Sequence, residues 1–498
     1  MGVSVWDREV FIKQVIDEHL GNEAVYENIT NRKEEFIATV DHFYLEFLRN
    51  FGHVIPKSVL TFLKHSRKTH KNRVAIFRAT AKVHKTPVCL RPVVAKCGTT
   101  IEALSKWLDV EMQYVMGALP WCIKDSHSFR KEVVTISLPP GARIFTFDAV
   151  GMYFNIDLNH AIPIMREWFE CYTPPPGGSG KKLSNINALI SALTIVMRWN
   201  ICQFGNSYFR QKIGTAMGTS CAVAFANLYF GKHERTKLLP KYQTQLKRLH
   251  FYRRFIDDVF GVWIGNTGLD WAQMVHDFND FGILKWTCPV PKESVDFLDL
   301  TLVIVNGRII SKTYQKPKNP YLYIPPHSAH PSGVAKGWIY GILRTYWYQN
   351  SRFSDFVHYA SLLYKRHVMQ GWSQAVLKEL FISALNKLKT HLEAPPRLEP
   401  ITPTPPSQPD HNNNTDPTAE DPELLFLHLE FHPNDIDRKT VRKLYQDNCE
   451  EVLRDSVEIE KFIIAYSKPK TIGGVVAKAQ LHEAPDHEVS KYIEGELR

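Results

Sequence analysis

The sequence predicts a multidomain α+β protein, and three observations carry that expectation. Its 498 residues and 57.4 kDa exceed one compact domain and fit about three. Stretches with apolar residues at i, i+3, i+4 alternate with short β-rich runs. With 44% apolar and 22% charged residues, the chain has enough apolar material to bury a core.

In chain order, Asp7 to Asn50 reads as helical, through WDREVFIKQVIDEHL and EEFIATVDHFYLEFLRN. Arg73 to Lys96 reads as two short β pieces around a basic turn at His84 to Pro87. A helix is expected over Ile101 to Ala118, then a strand ARIFTFDAV running into Asp148, then a helix starting near Leu158. TPPPGGSGKK (Thr173 to Lys182) reads as a loop, Leu183 to Trp199 as a helix, and Gly205-Asn206 as the tip of a hairpin. Gly214 to Gly218 opens another apolar helix, and helical patterns dominate from Val334 to about Leu392. The Pro- and Asn-rich Ala394 to Pro422 reads as a linker, and Leu424 to Arg498 as a short β/α module.

Charge is distributed unevenly. Residues 396–498 hold 12 Lys+Arg against 20 Asp+Glu, a net of −8, so residues 1–395 carry +18 of the overall +10. No acidic residue occurs from Phe47 to Ile101, from Cys171 to His233, or from Leu300 to Ser354. Three such tracts in an aromatic-rich chain favour a polyanionic partner, with nucleic acid the default. KHSRKTHKNR (Lys64 to Arg73) suits nuclear import or template phosphates equally. No apolar run reaches the ~18 residues of a membrane span, no secretory signal is visible, and Trp6 breaks the myristoylation pattern. Eight scattered cysteines without a CxxC pair fit a reducing compartment and no zinc site. A soluble, intracellular protein is expected.

The sharpest motif is FYRRFIDDVFGVW, Phe251 to Trp263, in which Asp257 and Asp258 sit between apolar strand-like arms. Adjacent buried carboxylates repel and call for a cation, and Mg²⁺ prefers such hard oxygen ligands. Asp148 at the end of an apolar strand supplies a third carboxylate, although taken singly it also suits a helix N-cap. Carboxylates from different strands clamping two metals are what in-line phosphoryl displacement requires. Tyr153 is placed to floor a nucleotide sugar pocket and meet a 2′-hydroxyl, or else is a core aromatic. Gly214, Thr215, Ala216, Met217 and Gly218 form a loop whose glycines permit close backbone approach. Lys82, Lys85 and Arg91 are candidates to grip a triphosphate, each being a solvated charge otherwise.

AKVHK…LRPVV, FDAVGMYFNI, GTAMGTSCAVAFANLYF, FIDDVF and VDFLDLTL stand in the order of reverse-transcriptase fingers and palm motifs. In detail they resemble the Penelope-like retroelement reverse transcriptases, relatives of telomerase. KVHK before LRP, DxxxxYxNI around Asp148, GTAMG and FLDL carry that likeness, and YQKPKNPYLYIPPHSAHP and GWIYGILRTYWYQNSRFSDF look like the start of the family's thumb. FIIAYSKPKTIGGVVAKAQL resembles the segment after the thumb, so the resemblance covers roughly Arg73 to Leu481. Phe255 departs from the Tyr that many members carry before x-Asp-Asp.

The resemblance implies a right-hand polymerase fold with fingers, a palm of antiparallel sheet plus helices, and a helical thumb. Its expected boundaries are an N-terminal helical extension over 1–72, fingers over 73–140, palm over 141–312, thumb over 313–393, linker over 394–422 and C-terminal module over 423–498. It implies RNA-directed DNA synthesis from a primer 3′-hydroxyl, with Asp148 and Asp257 as ligands of two Mg²⁺ ions, Mn²⁺ as a substitute, and Asp258 in support. Tyr153 takes the sugar-selecting position, Arg91 with Lys82 or Lys85 the triphosphate contacts, and Gly214 to Thr219 the loop bracing the templating base. The implied partners are an RNA template, a DNA primer or RNA–DNA hybrid and dNTPs, with no membrane, in the nucleus. Family members often continue into a GIY-YIG nuclease that the sequence ending at Arg498 lacks, so nicking is expected from a separate endonuclease, a lost C-terminus, or pre-existing DNA 3′ ends. The alternative is a catalytically retired, domesticated nucleic-acid-binding protein.

Overall fold

The computed structural model describes residues 6–82, 86–174, 182–265, 268–317, 319, 321–328, 330, 333–393, 424–430, 438–448 and 461–467. The expected linker, most of the Thr173 to Lys182 loop, and the segment beyond Ser467 lie outside them. The chain divides into two units. One comprises Ser4–Asn319, Gln349–Arg352 and Leu481–Arg498; the other comprises Met1–Val3, Pro320–Tyr348 and Phe353–Gln480.

The first unit begins with α1 (Arg8–Val15), capped by the Asp7 carboxylate on Val10 N and continued by a π-helical turn, Ile16–Leu20. There the expected helix breaks, because Tyr26–Asn28 form a short strand, β1, before α2 (Lys33–Phe51) and α3 (Lys57–His70). The N-terminal segment is therefore not wholly helical. Next come β2 (Ala75–Lys82), β3 (Cys89–Ala95), α4 (Glu102–Met116) and α5 (Ser126–Val133). They lead into β4 (Arg143–Ala149), α6 (Leu158–Cys171), α7 (Ile186–Arg198), β5 (Asn200–Phe204) and β6 (Ser207–Gln211). The N-termini of α5, α6 and α7 are capped by Asp125, Asp157 and Asn185, whose side chains satisfy backbone N–H groups left over by the first turn.

A five-stranded sheet runs in the order β1-β6-β5-β2-β3. β2 and β3 pair antiparallel, as do β5 and β6 around the expected Gly205-Asn206 tip. β1 covers β6 at one edge. At the other edge the segment from α1 reaches β3 with side chains: Gln14 Nε2 donates to Val88 O at 2.8 Å, and Glu18 accepts from Leu90 N at 2.7 Å. Ile12, Val15, Phe77, Leu90, Val94, Phe204 and Phe209 fill the core between helix and sheet.

The chain then enters α8 (Ala222–His233), which passes into π-helical turns at Glu234–Leu238 and Pro240–Gln245. β7 (Leu249–Phe255) and β8 (Asp258–Trp263) form a hairpin, followed by α9 (Leu269–Asn279) and β9 (Trp286–Thr287). The resulting four-stranded antiparallel sheet has the order β7-β8-β4-β9. Strand alternation assigns its faces. Phe145, Phe147, Ala149, Val259 and Trp263 join the main core with α4, α6, α7 and α8. Ile144, Phe260 and Val262 face the other way and pack against α5 and a three-stranded meander of β10 (Ser294–Phe297), β11 (Leu300–Val305) and β12 (Arg308–Thr313).

The second unit contains α10 (Gly333–Gln349, its last residue assigned to the first unit), α11 (Phe353–Met369) and α12 (Gln374–Glu393), the helical pattern expected there. Their shared core holds Ile339, Leu343, Phe356, Leu363, Leu377, Phe381 and Leu388, with His367 fully buried and stacked on Tyr323 at 4.7 Å. Downstream, β13 (Leu424–Glu430) and β14 (Lys461–Ser467) pair in parallel, with α13 (Arg438–Asn448) between them in sequence. No helix among the described residues is long and apolar enough to cross a membrane.

Candidate active site

The four-stranded sheet brings the three predicted aspartates together. Phe255 pairs with Asp258, which leaves Ile256 and Asp257 as a two-residue hairpin loop. Asp258 is registered directly opposite Asp148 on the neighbouring strand β4, and Ala149 N donates to Asp257 O at 2.9 Å. Asp148 therefore belongs to a strand, and the N-cap of the following helix is Asp157. Asp148 shares a sheet face with Ile144, and Asp258 with Phe260 and Val262. The meander and α5 cover the apolar end of that face, while Asp148 is exposed and Asp257 and Asp258 are half-buried at its other end.

The electrostatics follow from this crowding. Burial, then Asp257, then Asp148 push the Asp258 carboxyl up to about 7, against a smaller opposing effect of Lys316. Lys316 follows the meander and went unremarked in the sequence, where it is one of several lysines in an acid-free tract. Tyr153 lies in a 3₁₀ turn, Met152–Phe154, just beyond β4, and is half-buried. Its hydroxyl is pushed up to about 12 by burial and then by Asp257, so it stays protonated and belongs to the same neighbourhood as the aspartates.

The Gly214–Gly218 loop is a brace between this neighbourhood and the five-stranded sheet. Thr215 N donates to Tyr153 O at 2.7 Å and Gly214 N to Ile156 O at 2.9 Å, while Val94 N on β3 donates to Met217 O at 2.8 Å. Both glycines have positive φ, +73° and +117°. A Cβ would lie 2.1 Å from Tyr153 O at Gly214 and 2.4 Å from Val94 O at Gly218, so neither approach tolerates a side chain. Gly214, Thr215 and Ala216 are buried; Met217 is half-buried and Gly218 exposed, so the loop presents only its second half. The buried hydroxyls of Thr215 and Thr219 find no hydrogen-bond partner among the described residues.

Lys82 and Arg91 share one face of the β2–β3 hairpin, since Thr80 opposes Arg91 and Lys82 opposes Cys89. Arg91 is exposed and Lys82 half-buried; Arg78, which the sequence reading passed over, is exposed on the same face. Lys85 lies outside the described residues.

Among the described residues, no group of three or more His, Cys, Asp or Glu side chains is arranged to hold a metal ion on its own. The donor chemistry nevertheless fits Mg²⁺. Three hard carboxylates meet at one sheet end, and one of them is held back from ionising by its burial and then by the others. Mg²⁺ commonly takes only one or two carboxylates, completing its shell with water and substrate phosphates. The set is unlike a soft-metal site, because among the described residues no cysteine or histidine joins it in a metal-holding group.

No family model matches the chain, and no curated protein matches it either. Among solved structures, it is similar to telomerase from Candida albicans in complex with a TWJ fragment of telomeric RNA, at 10% identity over 69% of this chain and 59% of that one, with a TM-score of 0.44. It is also similar to apo telomerase from Candida tropicalis (11% identity, 64% and 58% covered, TM-score 0.39). The RNA-dependent RNA polymerase of BmCPV at elongation state is a further match (12% identity, 68% and 32% covered, TM-score 0.40). The chain thus spans less than two thirds of the length of each of these proteins.

Proposed function

We propose that the chain is an RNA-directed DNA polymerase of the Penelope-like reverse-transcriptase type, with the four-stranded sheet as palm, the β2–β3 region as fingers and α10–α12 as thumb. The observation that carries this reading is the register of Asp148 against Asp258, with Asp257 in the turn beside them. Asp148 and Asp257 are the ligands for two Mg²⁺ ions, with Asp258 in support and Mn²⁺ as a substitute. When bound, such ions supply Lewis acidity at the primer 3′-hydroxyl and charge neutralisation at the triphosphate.

The chain's own residues orient the reactants. Tyr153 places a protonated phenol and ring beside Asp257, where a ribose 2′-hydroxyl would collide and a deoxyribose would pack. Arg91 and Lys82 present cations on one face of the fingers hairpin for the phosphates of a dNTP. The Gly214–Gly218 brace transmits the position of that hairpin to Tyr153 through Val94 and Met217. The acid-free tracts fit an RNA template and a DNA primer or RNA–DNA hybrid.

Primer extension on a poly(rA)–oligo(dT) hybrid with Mg²⁺ tests the reading. Wild type should incorporate dTTP, and Asp257→Asn should not. Tight hybrid binding by both proteins, with no incorporation in Mg²⁺ or Mn²⁺, would favour the domesticated binding protein instead.

A further inference from the structure

Beneath the turn that carries Asp257 lies a buried ion pair that the proposed chemistry does not use. The side chains of Arg254 and Glu234 are both 0% exposed. The guanidinium spends all five of its N–H donors. Nε donates to Glu234 Oε1 and Nη2 to Glu234 Oε2, both at 2.7 Å. Nη2 also reaches Asn227 O at 3.0 Å, and Nη1 reaches Asn227 Oδ1 at 2.7 Å and Ile256 O at 3.0 Å. Glu234 is held in turn by Trp121 Nε1 at 2.7 Å and by the Tyr252 hydroxyl.

Stability alone gives little reason for this arrangement, because a buried ion pair often contributes no more than well-packed apolar side chains of similar volume. What sets it apart is its grip on Ile256 O. Ile256 has φ +57°, a left-handed backbone that a β-branched residue strongly disfavours, and it is the first residue of the loop that presents Asp257. Glu234 stands at the start of the π-helical turn that follows α8, so the grip runs from the helical layer, through the guanidinium, to the loop.

We propose that Arg254, anchored by Glu234, is a positioning residue that holds the Ile256–Asp257 loop so that Asp257 and Asp258 stay aligned on Asp148. Its catalytic consequence rests on the polymerase reading; the clamp itself does not.

Two variants separate clamp from fold. Arg254→Lys keeps the charge but loses the planar fork. Arg254→Met combined with Glu234→Gln removes both charges, leaves no uncompensated buried ion, and keeps an amide oxygen for Trp121 or Tyr252. Thermal melting identifies the folded variants, and Arg254→Lys carries the comparison if the double variant does not fold. In the folded double variant, amide exchange at Ala149, whose N–H is bonded to Asp257 O, and across 255–259 should rise by at least about tenfold, with the β10–β12 meander unchanged. Unchanged exchange at the loop overturns the proposal, whether or not the protein polymerises. The kcat for dTTP incorporation should fall about 10²-fold with KM held within about threefold. A loosened loop with wild-type kcat overturns the positioning role and leaves the polymerase reading standing. A wild type that incorporates nothing defeats the polymerase reading, and exchange alone then decides the clamp.

Discussion

Two hairpins in this molecule have the same two-residue loop and opposite chemistry. Between β5 and β6 the loop is Gly205-Asn206, with Gly205 at φ +58°; between β7 and β8 it is Ile256-Asp257, with Ile256 at φ +57°. The first uses the residue types that such turns favour, with the neighbouring Gln203 Nε2 donating to Gly205 O at 2.8 Å. The second places a β-branched side chain where glycine belongs, a strain on the order of 1–3 kcal/mol, and is held by Arg254 beneath it. At one turn the residues serve the backbone; at the other the backbone serves an aspartate.

The same exchange made at equivalent positions should separate them most. Asp257→Asn is expected to lower dTTP incorporation by about 10³-fold or more, whereas Asn206→Asp should leave it within about twofold. Tyr153→Ala, next to the strained hairpin, should relax the preference for dNTP over rNTP by about 10²-fold, read from the ratio of the two kcat/KM values.

The contrast extends to two carboxylates. Asp258 is pushed up to about 7 by burial and like charges, while Asp277 is held down to about 2, its burial outweighed by hydrogen bonds from Lys241, Tyr242 and Gln273. Because its folded value lies below the ordinary 3.8, Asp277 stabilises the fold above about pH 4 and loses that effect as pH falls toward about 2. Asp277→Asn should therefore cost about 2 kcal/mol at neutral pH and flatten the acid side of a melting-temperature profile. The smallest effect returns to the turns. Gly205→Val should cost about 1–2 kcal/mol of stability with kcat unchanged, and Ile256→Gly should stay within about 1 kcal/mol of wild type while kcat falls. Equal responses at the two loops would erase the distinction.

Much of the sheet that carries the aspartates, and one hairpin of the five-stranded sheet, was legible in the sequence. The apolar run into Asp148, the arms around Asp257-Asp258 and the Gly205-Asn206 tip are local patterns, and each became the element expected. The reading failed where the determinant was distant. Tyr26–Asn28 sit inside a helix-period stretch and become a strand only because β6 offers an open edge about 180 residues away. Arg254 looks in sequence like one of two adjacent basic residues; its role depends on Glu234 and Asn227 arriving from α8 and its extension. Gly214 reads correctly as a residue of close backbone approach, but the backbone that approaches it, that of Tyr153, comes from some sixty positions earlier. Lys85 and the linker lie outside the described residues.

The N-terminal segment that lends β1 to one side of the five-stranded sheet and Gln14 and Glu18 to the other works as a clasp. Without it, β6 and the Leu90 end of β3 would present open backbone groups, the template on which separate chains add to one another. A fragment beginning at Lys33 should keep the aspartates in register and yet self-associate through its sheets, so the segment carrying β1, Gln14 and Glu18 guards the chain against its own copies from a sheet other than the one that holds the aspartates.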